Sequence, residues 1–232
     1  MRSNVDLLAR GLEALELPMD PLRERLGKYI AEIELWNPTY GLVNASGDEL
    51  VVKHILDSLA PLSYLRILLA ELDGAGSRTS GGQGAVLADI GTGAGLPGIP
   101  LALALPERQV RLVERMGKRV RFLENQKVIL GLDNVLILES EAERAGGPFD
   151  LIVFRAFRPF SETKLFRSIV ERLSPGGIIA AYKGKLATAA EEISIISGDA
   201  RLGALARTAK IMPVRVPLLD EERCLVVLRN GI

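Results

Sequence analysis

Residues 86 to 98, Val-Leu-Ala-Asp-Ile-Gly-Thr-Gly-Ala-Gly-Leu-Pro-Gly, run an apolar strand into a turn that carries Gly91, Gly93, Gly95 and Gly98. Glycines so closely spaced suit a backbone that takes positive φ and lets a ligand lie against it with no Cβ in the way. Asp89 enters just ahead of the turn, and Glu114 ends the next apolar run, Val110–Glu114. This is the spacing of a nucleotide-cofactor site, in which a carboxylate at the end of the second strand accepts hydrogen bonds from both ribose hydroxyls. Further on, Arg155 follows the run Leu151–Phe154 and Lys183 follows Ile178–Tyr182, so two cations fall where strands of an open sheet end.

Two cofactors satisfy this pattern. Gly93-x-Gly95-x-x-Gly98 matches the dinucleotide fingerprint with Glu114 as its ribose acid, which keeps a nicotinamide-binding oxidoreductase open. Three features favour S-adenosylmethionine. Asp89 can face the ammonium of a methionine moiety, whereas beside a pyrophosphate it would repel. Pro97 and Pro100 remove N–H groups from the helix start that a pyrophosphate would use. The chain also finishes in a way not expected of a dinucleotide domain, as its elements show. Ala142 and Glu143, after the run Val135–Glu139, are placed to meet an adenine edge, although alone they read as a polar loop.

The elements that must carry these residues are short apolar strands alternating with helices. Strands are expected at Val86–Asp89, Val110–Glu114, Val135–Glu139, Leu151–Phe154 and Ile178–Tyr182, with helices at Lys118–Leu130 and Thr163–Leu173. Continuous apolar strands joined by helices imply a parallel sheet covered on both faces. The last two runs, Ala209–Val216 and Cys224–Arg229, are joined by too few residues for a parallel crossover, so they form an antiparallel pair. Five parallel strands finishing in an antiparallel hairpin resemble the α/β fold of class I S-adenosylmethionine-dependent methyltransferases. Ahead of the strands, residues 1–74 form a helical extension packed on the core. One helix spans Pro21 to Trp36; a second runs from Asp48, as N-cap, to about Leu69. Residues 75–84 are a flexible glycine-rich loop, within the run Gly74–Gly84, and residues 85–232 are the methyltransferase domain.

With 29 basic and 29 acidic residues, no global field draws the protein to nucleic acid or anionic membrane, and a polyanion site must be a local patch. The single cysteine, Cys224, sits in the run Cys-Leu-Val-Val-Leu and reads as a small buried hydrophobe. Met1 to Leu8 has no signal-like apolar segment and no stretch reaches membrane-spanning length, so a cytoplasmic protein is expected. No metal site and no membrane partner are expected, and the protein is expected to be a monomer.

Four blocks resemble those of a known family, and the first three named here fall in that family's order. Asp89-Ile-Gly-Thr-Gly-Ala-Gly-Leu-Pro-Gly-Ile-Pro, Gly117-Lys-Arg-Val-Arg-Phe-Leu, Phe154-Arg-Ala-Phe and Lys53-His-Ile-Leu-Asp-Ser resemble the motifs of the RsmG family, also called glucose-inhibited division protein B. The resemblance extends from about Tyr29 to Leu228, with the Gly74–Gly84 insertion as a departure. It implies methylation of N7 of a guanine in the 530 loop of bacterial 16S rRNA, on the rRNA or the small ribosomal subunit, with S-adenosylmethionine as donor. Carried over by motif, Gly91, Leu96, Ala142, Glu143 and Arg155 contact the cofactor, with Glu114 at its ribose.

N7 presents a lone pair and loses no proton, so methyl transfer to it is chiefly a matter of approach and orientation. That fits the residue types near the fourth strand, where there is no cysteine for covalent pyrimidine chemistry and no Asn-Pro-Pro-Tyr-type clamp. Asn37-Pro-Thr-Tyr40 imitates such a clamp but follows a charged helix, and reads as a helix terminator. Arg155 can bond guanine O6, a phosphate or the cofactor carboxylate; the alternative is a rim ion pair with Asp150 or Glu162. Phe157 can stack on an extruded base, or belong to the core. Lys183, with Arg155 a candidate catalytic residue, and Lys185 are expected at RNA phosphate. Lys118, Arg119 and Arg121 open a helix, where cations oppose the macrodipole, and are expected at phosphate unless they pair with Glu114 and Glu124. His54, the only histidine, is expected to bond Asp57 on a helix surface at the pocket mouth.

Overall fold

The computed structural model describes residues 2–76 and 84–231, and the side chains from residue 6 onward within them. The glycine-rich segment expected as a flexible loop lies largely outside the described residues. Helix α1 (Arg2–Ala14) and helix α2 (Leu22–Tyr40) open the chain. They are followed by α3 (Gly47–Leu50), a π turn (Val51–Leu56), α4 (Asp57–Leu59) and α5 (Leu62–Gly74). The second helical run is thus continuous only to Leu59 and restarts after Pro61, which cannot supply the N–H that would carry one helix through. Pro38 does not end α2. The helix passes through it and stops at Gly41, in the left-handed conformation, with Asn37 Oδ1 accepting the N–H of Leu42 and Val43 at 2.7 and 2.9 Å.

The remainder is β1 (Leu87–Ile90), α6 (Gly98–Ala104), β2 (Val110–Glu114), α7 (Gly117–Leu130), β3 (Val135–Glu139) and a 3-10 turn (Ala142–Arg144). Then come β4 (Phe149–Arg155), α8 (Thr163–Val170), β5 (Leu173–Lys183), α9 (Leu186–Ser197), α10 (Gly203–Ala206), β6 (Lys210–Pro213) and β7 (Cys224–Arg229). The seven strands form one sheet in the order β3-β2-β1-β4-β5-β7-β6. β1 to β5 are parallel and β7 runs antiparallel between β5 and β6. Leu173, expected to end a helix, instead opens β5, because α8 stops at Val170.

One face of the sheet packs on a cluster that runs without a break from Leu8 and Leu12 of α1, through Tyr29 and Leu123, to Leu225 and Val227 of β7. The opposite face, with Ile152, Phe154 and Val226, is covered by Phe166 of α8, Ile196 of α9 and Leu205 of α10. The helical extension therefore shares the core of the sheet. Tyr29 Oη donates to the Ala94 carbonyl at 2.7 Å, which ties α2 directly to the glycine turn. No helix among the described residues is long and apolar enough to cross a membrane. The strand order reverses between β1 and β4, and the carboxyl ends of β1, β2, β4 and β5 bring the turn, Glu114, Arg155 and Lys183 to one edge.

Candidate active site

Two cavities open along that edge and share Ala156 and Phe157, the residues that follow Arg155. The first, of about 400 Å³, lies over β1 and β2 and is lined by Gly91, Glu114, Arg119, Ser140, Ala142 and Glu143, among others. The second, of about 480 Å³, lies between β4, β5 and the helical extension. His54, Asp57, Arg155, Tyr182, Lys183 and Arg223 line it.

The turn above the first cavity is built as its glycines require. Gly91, Gly93 and Gly95 have φ of 68°, 62° and 94°, in the region that favours glycine. A Cβ on Gly91, which lines the cavity, would fall 2.7 Å from the Phe157 ring, whereas one on Gly93, which does not line it, would meet nothing nearer than 3.9 Å. Glu114 is 4% exposed, and its two oxygens accept the N–H of Gly93 and Met116, each at 2.9 Å. A carboxylate has about four lone-pair sites, so each oxygen keeps capacity for one further donor. The residues thus fit a nucleoside with a cis-diol: a cradle without side chains, an acid beyond it, and the half-buried Ala142 with exposed Glu143 on the far wall.

Asp89 behaves differently from the sequence expectation. It is fully buried, and its Oδ2 accepts Thr92 Oγ1 at 2.5 Å and the Gly98 amide at 2.8 Å, so it braces the turn from beneath and does not face an ammonium. Burial pushes its pKa up to about 7, against the bonds from Thr92 and Gly98 and the charge of Arg155. The Gly98 amide is spent on Asp89 and Pro97 offers none, so the start of α6 cannot serve a pyrophosphate. Leu96 is buried in the core below the turn and Gly95 packs on Ile99 and Leu123; neither lines the cavity.

Arg155 is not free at the rim, nor paired with Asp150 or Glu162. Its Nη1 donates to the Lys53 carbonyl at 2.8 Å and to Asp57 Oδ2 at 2.9 Å, and its Nη2 meets His54 Nδ1 at 2.8 Å. The π turn makes the first of these bonds available. The Asp57 N–H bonds the carbonyls of Val52 and His54, which leaves the Lys53 carbonyl without the helical partner it would otherwise have. Asp57 in turn holds Arg223 Nε at 3.2 Å through Oδ1. The sequence brings Asp57 to the pocket mouth only as the expected partner of His54, and it does not bring Arg223 there at all. Asp57 falls in the Lys53-His-Ile-Leu-Asp-Ser block, whereas nothing local marks Arg223, which reaches the site across 166 positions. The His54 imidazole makes no bond with the Asp57 carboxylate, contrary to expectation, because the Arg155 guanidinium bonds both.

Lys183 is 12% exposed, bonded to Glu192 Oε2 at 2.6 Å and seated 4.1 Å over the Phe160 ring, so it is held inward. Arg119, expected at phosphate, lies within the first cavity with Nη1 3.8 Å from Glu114 Oε2. Phe157 is half-buried against Gly91 and tilted on Phe154 at 5.6 Å. Lys118, Arg121 and Lys185 are exposed.

This sheet, its glycine turn and its second-strand acid define a class I methyltransferase, whose cofactor is S-adenosylmethionine. The fold is shared with magnesium protoporphyrin IX methyltransferase from Synechocystis PCC 6803, solved with bound S-adenosylmethionine (TM-score 0.53, 11% identity, 87% of this chain and 97% of that one). A structure from Klebsiella pneumoniae shares it too, at TM-score 0.57 and 18% identity over 95% of this chain and 94% of its own. The family model for rRNA small subunit methyltransferase G matches residues 22–195. The ribosomal RNA small subunit methyltransferase G of Xanthomonas campestris pv. campestris (strain 8004) is 36% identical over 226 residues, which is 96% of this chain and 93% of that one. That of Treponema pallidum (strain Nichols) is 35% identical over 211 residues, covering 88% and 84%. The chain belongs to the rRNA small subunit methyltransferase G family.

Proposed function

We propose that the protein methylates N7 of a guanine in the 530 loop of 16S rRNA, by direct in-line transfer from S-adenosylmethionine bound in the first cavity to a base held in the second. The observation that carries this reading is the lack of a free base among the described residues of the second cavity. Asp57 is paired with Arg155 and Arg223, Glu192 with Lys183, and Glu49 with Lys53. The Cys224 thiol is buried, with its pKa raised by desolvation, and the His54 pKa falls to about 4. An acceptor that must lose a proton is poorly served by such a wall, and N7 of guanine loses none.

The cofactor supplies a methyl group made electrophilic by a sulfonium. Glu114 would hold the ribose hydroxyls, the Gly91–Gly95 turn would let the ligand lie close, and Ala142 and Glu143 would flank the adenine. Phe157, at the junction of the cavities, would stack on the extruded base and bring N7 into line. Arg155 keeps its Nε–H and one Nη2–H for substrate or cofactor, since three of its five donors are engaged. Lys118, Arg121 and Lys185 would meet rRNA phosphates around the opening, with the salt dependence such contacts bring. A cytoplasmic location fits this reading.

The test is chemical. A guanine methylated at N7 becomes open to borohydride reduction, after which aniline cuts the strand. rRNA from small subunits lacking the modification, treated with enzyme and S-adenosylmethionine, is expected to show one such cut, in the 530 loop. Label entering the rRNA with no cut in that loop would overturn the choice of atom or position.

A further inference from the structure

His54 is a group the reaction above does not use. Its Nδ1 lies 2.8 Å from Arg155 Nη2. A guanidinium has five N–H donors, no acceptor, and stays protonated, so Nδ1 must accept in this contact and the imidazole proton must sit on Nε2. Arg155 is itself fixed by the Lys53 carbonyl and by Asp57, which is 5% exposed and held from its other oxygen by Arg223. The imidazole is neutral because burial, and then Arg155, Lys53 and Arg223, outweigh the opposing charge of Glu49. Among the described residues its only hydrogen-bond partner is Arg155, and it lines the second cavity.

We propose that His54 is the base-reading residue of the acceptor cavity: Arg155 locks it as the Nε2–H tautomer, and that N–H donates to O6 of the target guanine. This rests on the function proposed above. Along the edge that carries N7, guanine presents two acceptors, N7 and O6, whereas adenine presents N7 and an amino donor. Once N7 is aligned for transfer, the exocyclic group is what remains to be read. A histidine free to exchange tautomers could accept from the adenine amine as readily as donate to O6. One whose Nδ1 is occupied by a guanidinium can only donate, so the ion network of Asp57, Arg155 and Arg223 acts as a selector of guanine over adenine.

The lock is read without any substrate. Because His54 is the only histidine in the chain, isotopic labelling of histidine nitrogen gives a single imidazole spin system. Nitrogen–proton correlations near neutral pH are expected to show the Nε2–H tautomer alone, and Arg155→Ala to produce a mixture of tautomers. An Nδ1–H or mixed imidazole in the unaltered protein overturns the proposal. The recognition is read on small subunits reconstituted with guanine, inosine or 2-aminopurine at the target position; the last keeps N7 and lacks O6. The unaltered enzyme is expected to favour guanine and inosine over 2-aminopurine in kcat/KM by about tenfold, the scale of one buried hydrogen bond. His54→Ala should bring that ratio towards one, with adenosylhomocysteine affinity unchanged, and His54→Gln, which restores an N–H donor, should recover part of it. Equal losses on all three substrates make His54 merely structural and refute the proposal. If the unaltered enzyme labels none of the three, the proposed function fails and the reading of O6 with it, whereas the tautomer measurement stands apart.

Discussion

The Arg155 guanidinium, at the end of β4, pairs with the Asp57 carboxylate, at the start of α4, at 2.9 Å and across 98 positions of sequence. This contact fastens the helical extension to the ligand-binding edge of the sheet. The second cavity is therefore a joint product of the two halves of the chain: β4 and β5 supply its floor, and the π turn with the start of α4 supplies the wall that carries Lys53, His54 and Asp57.

Asp57→Ala should be costly to both fold and activity. It removes the buried carboxylate that Arg155 and Arg223 share, leaving Arg155 without an ion-pair partner and Arg223 with Glu221 alone; breaking a largely enclosed pair of this kind costs on the order of 2–4 kcal/mol. Thermal denaturation is expected to show a clear loss of stability, and methyl transfer to fall further than adenosylhomocysteine binding, since Asp57 lines the second cavity, proposed for the acceptor, and not the first, proposed for the cofactor. A variant with unaltered melting and normal transfer would mean that the network is incidental.

Glu114→Ala is expected to weaken adenosylhomocysteine binding by about 1–3 kcal/mol, the range for losing hydrogen bonds to a charged, desolvated acceptor. Part of this loss is indirect, because Glu114 also fixes the Gly93 amide and so the shape of the turn. Glu114→Gln keeps one acceptor oxygen and should fall between. Calorimetric affinity equal to that of the unaltered protein would remove Glu114 from the ribose.

How much of this was legible in the sequence follows from what is local. Strands β2, β3 and β7 lie where apolar runs place them, and the glycine turn declares itself because positive φ demands glycine at named positions. The partners of two cations at strand ends are not legible: Arg155 and Lys183 are fixed by Asp57 and Glu192, and pairing across 98 and 9 positions leaves no periodic signal. The Arg119–Glu114 pair, close in sequence, is by contrast one of the two alternatives the sequence offers. The π turn was hidden for a related reason: one residue more per turn barely alters an apolar stripe only six residues long, yet it releases the Lys53 carbonyl to Arg155.

The buried Asp89 and the half-buried His54 should give opposite pH dependences of stability. Asp89 has a folded pKa near 7, above its ordinary 3.8, so the folded state holds a proton that the unfolded chain has lost. Its contribution is complete below about pH 4 and is lost as pH rises towards 7. His54 has a folded pKa near 4, below its ordinary 6.5, so its contribution is present above 6.5 and is lost as pH falls towards 4. Measured as differences from the unaltered protein, Asp89→Asn should gain in relative stability as pH rises through this window, and His54→Gln should lose. Denaturant melts at several pH values check the signs, and parallel curves would show that neither group has a shifted pKa.

Lys183 has two candidate roles that one double-mutant cycle separates. Read from sequence, a lysine at the end of β5 serves RNA phosphate; in the structure its ammonium is bonded to Glu192 and rests on Phe160, and Glu192 Oε2 also accepts the Phe160 amide at 2.9 Å. Lys183→Met keeps the aliphatic stem over the ring but leaves the Glu192 carboxylate, 13% exposed, without its cation. The pair is nearly enclosed, so this single change should destabilise by about 1–3 kcal/mol, and adding Glu192→Gln, which still accepts from Phe160, should recover part of the loss. A positive coupling energy in this cycle, with the salt dependence of rRNA binding unchanged in Lys183→Met, marks Lys183 as the residue that shapes the β5 side of the acceptor cavity. If the cycle shows no coupling and the salt slope falls by about one, the lysine has left Glu192 to meet a phosphate in the complex, and the role expected from its strand-end position is the correct one.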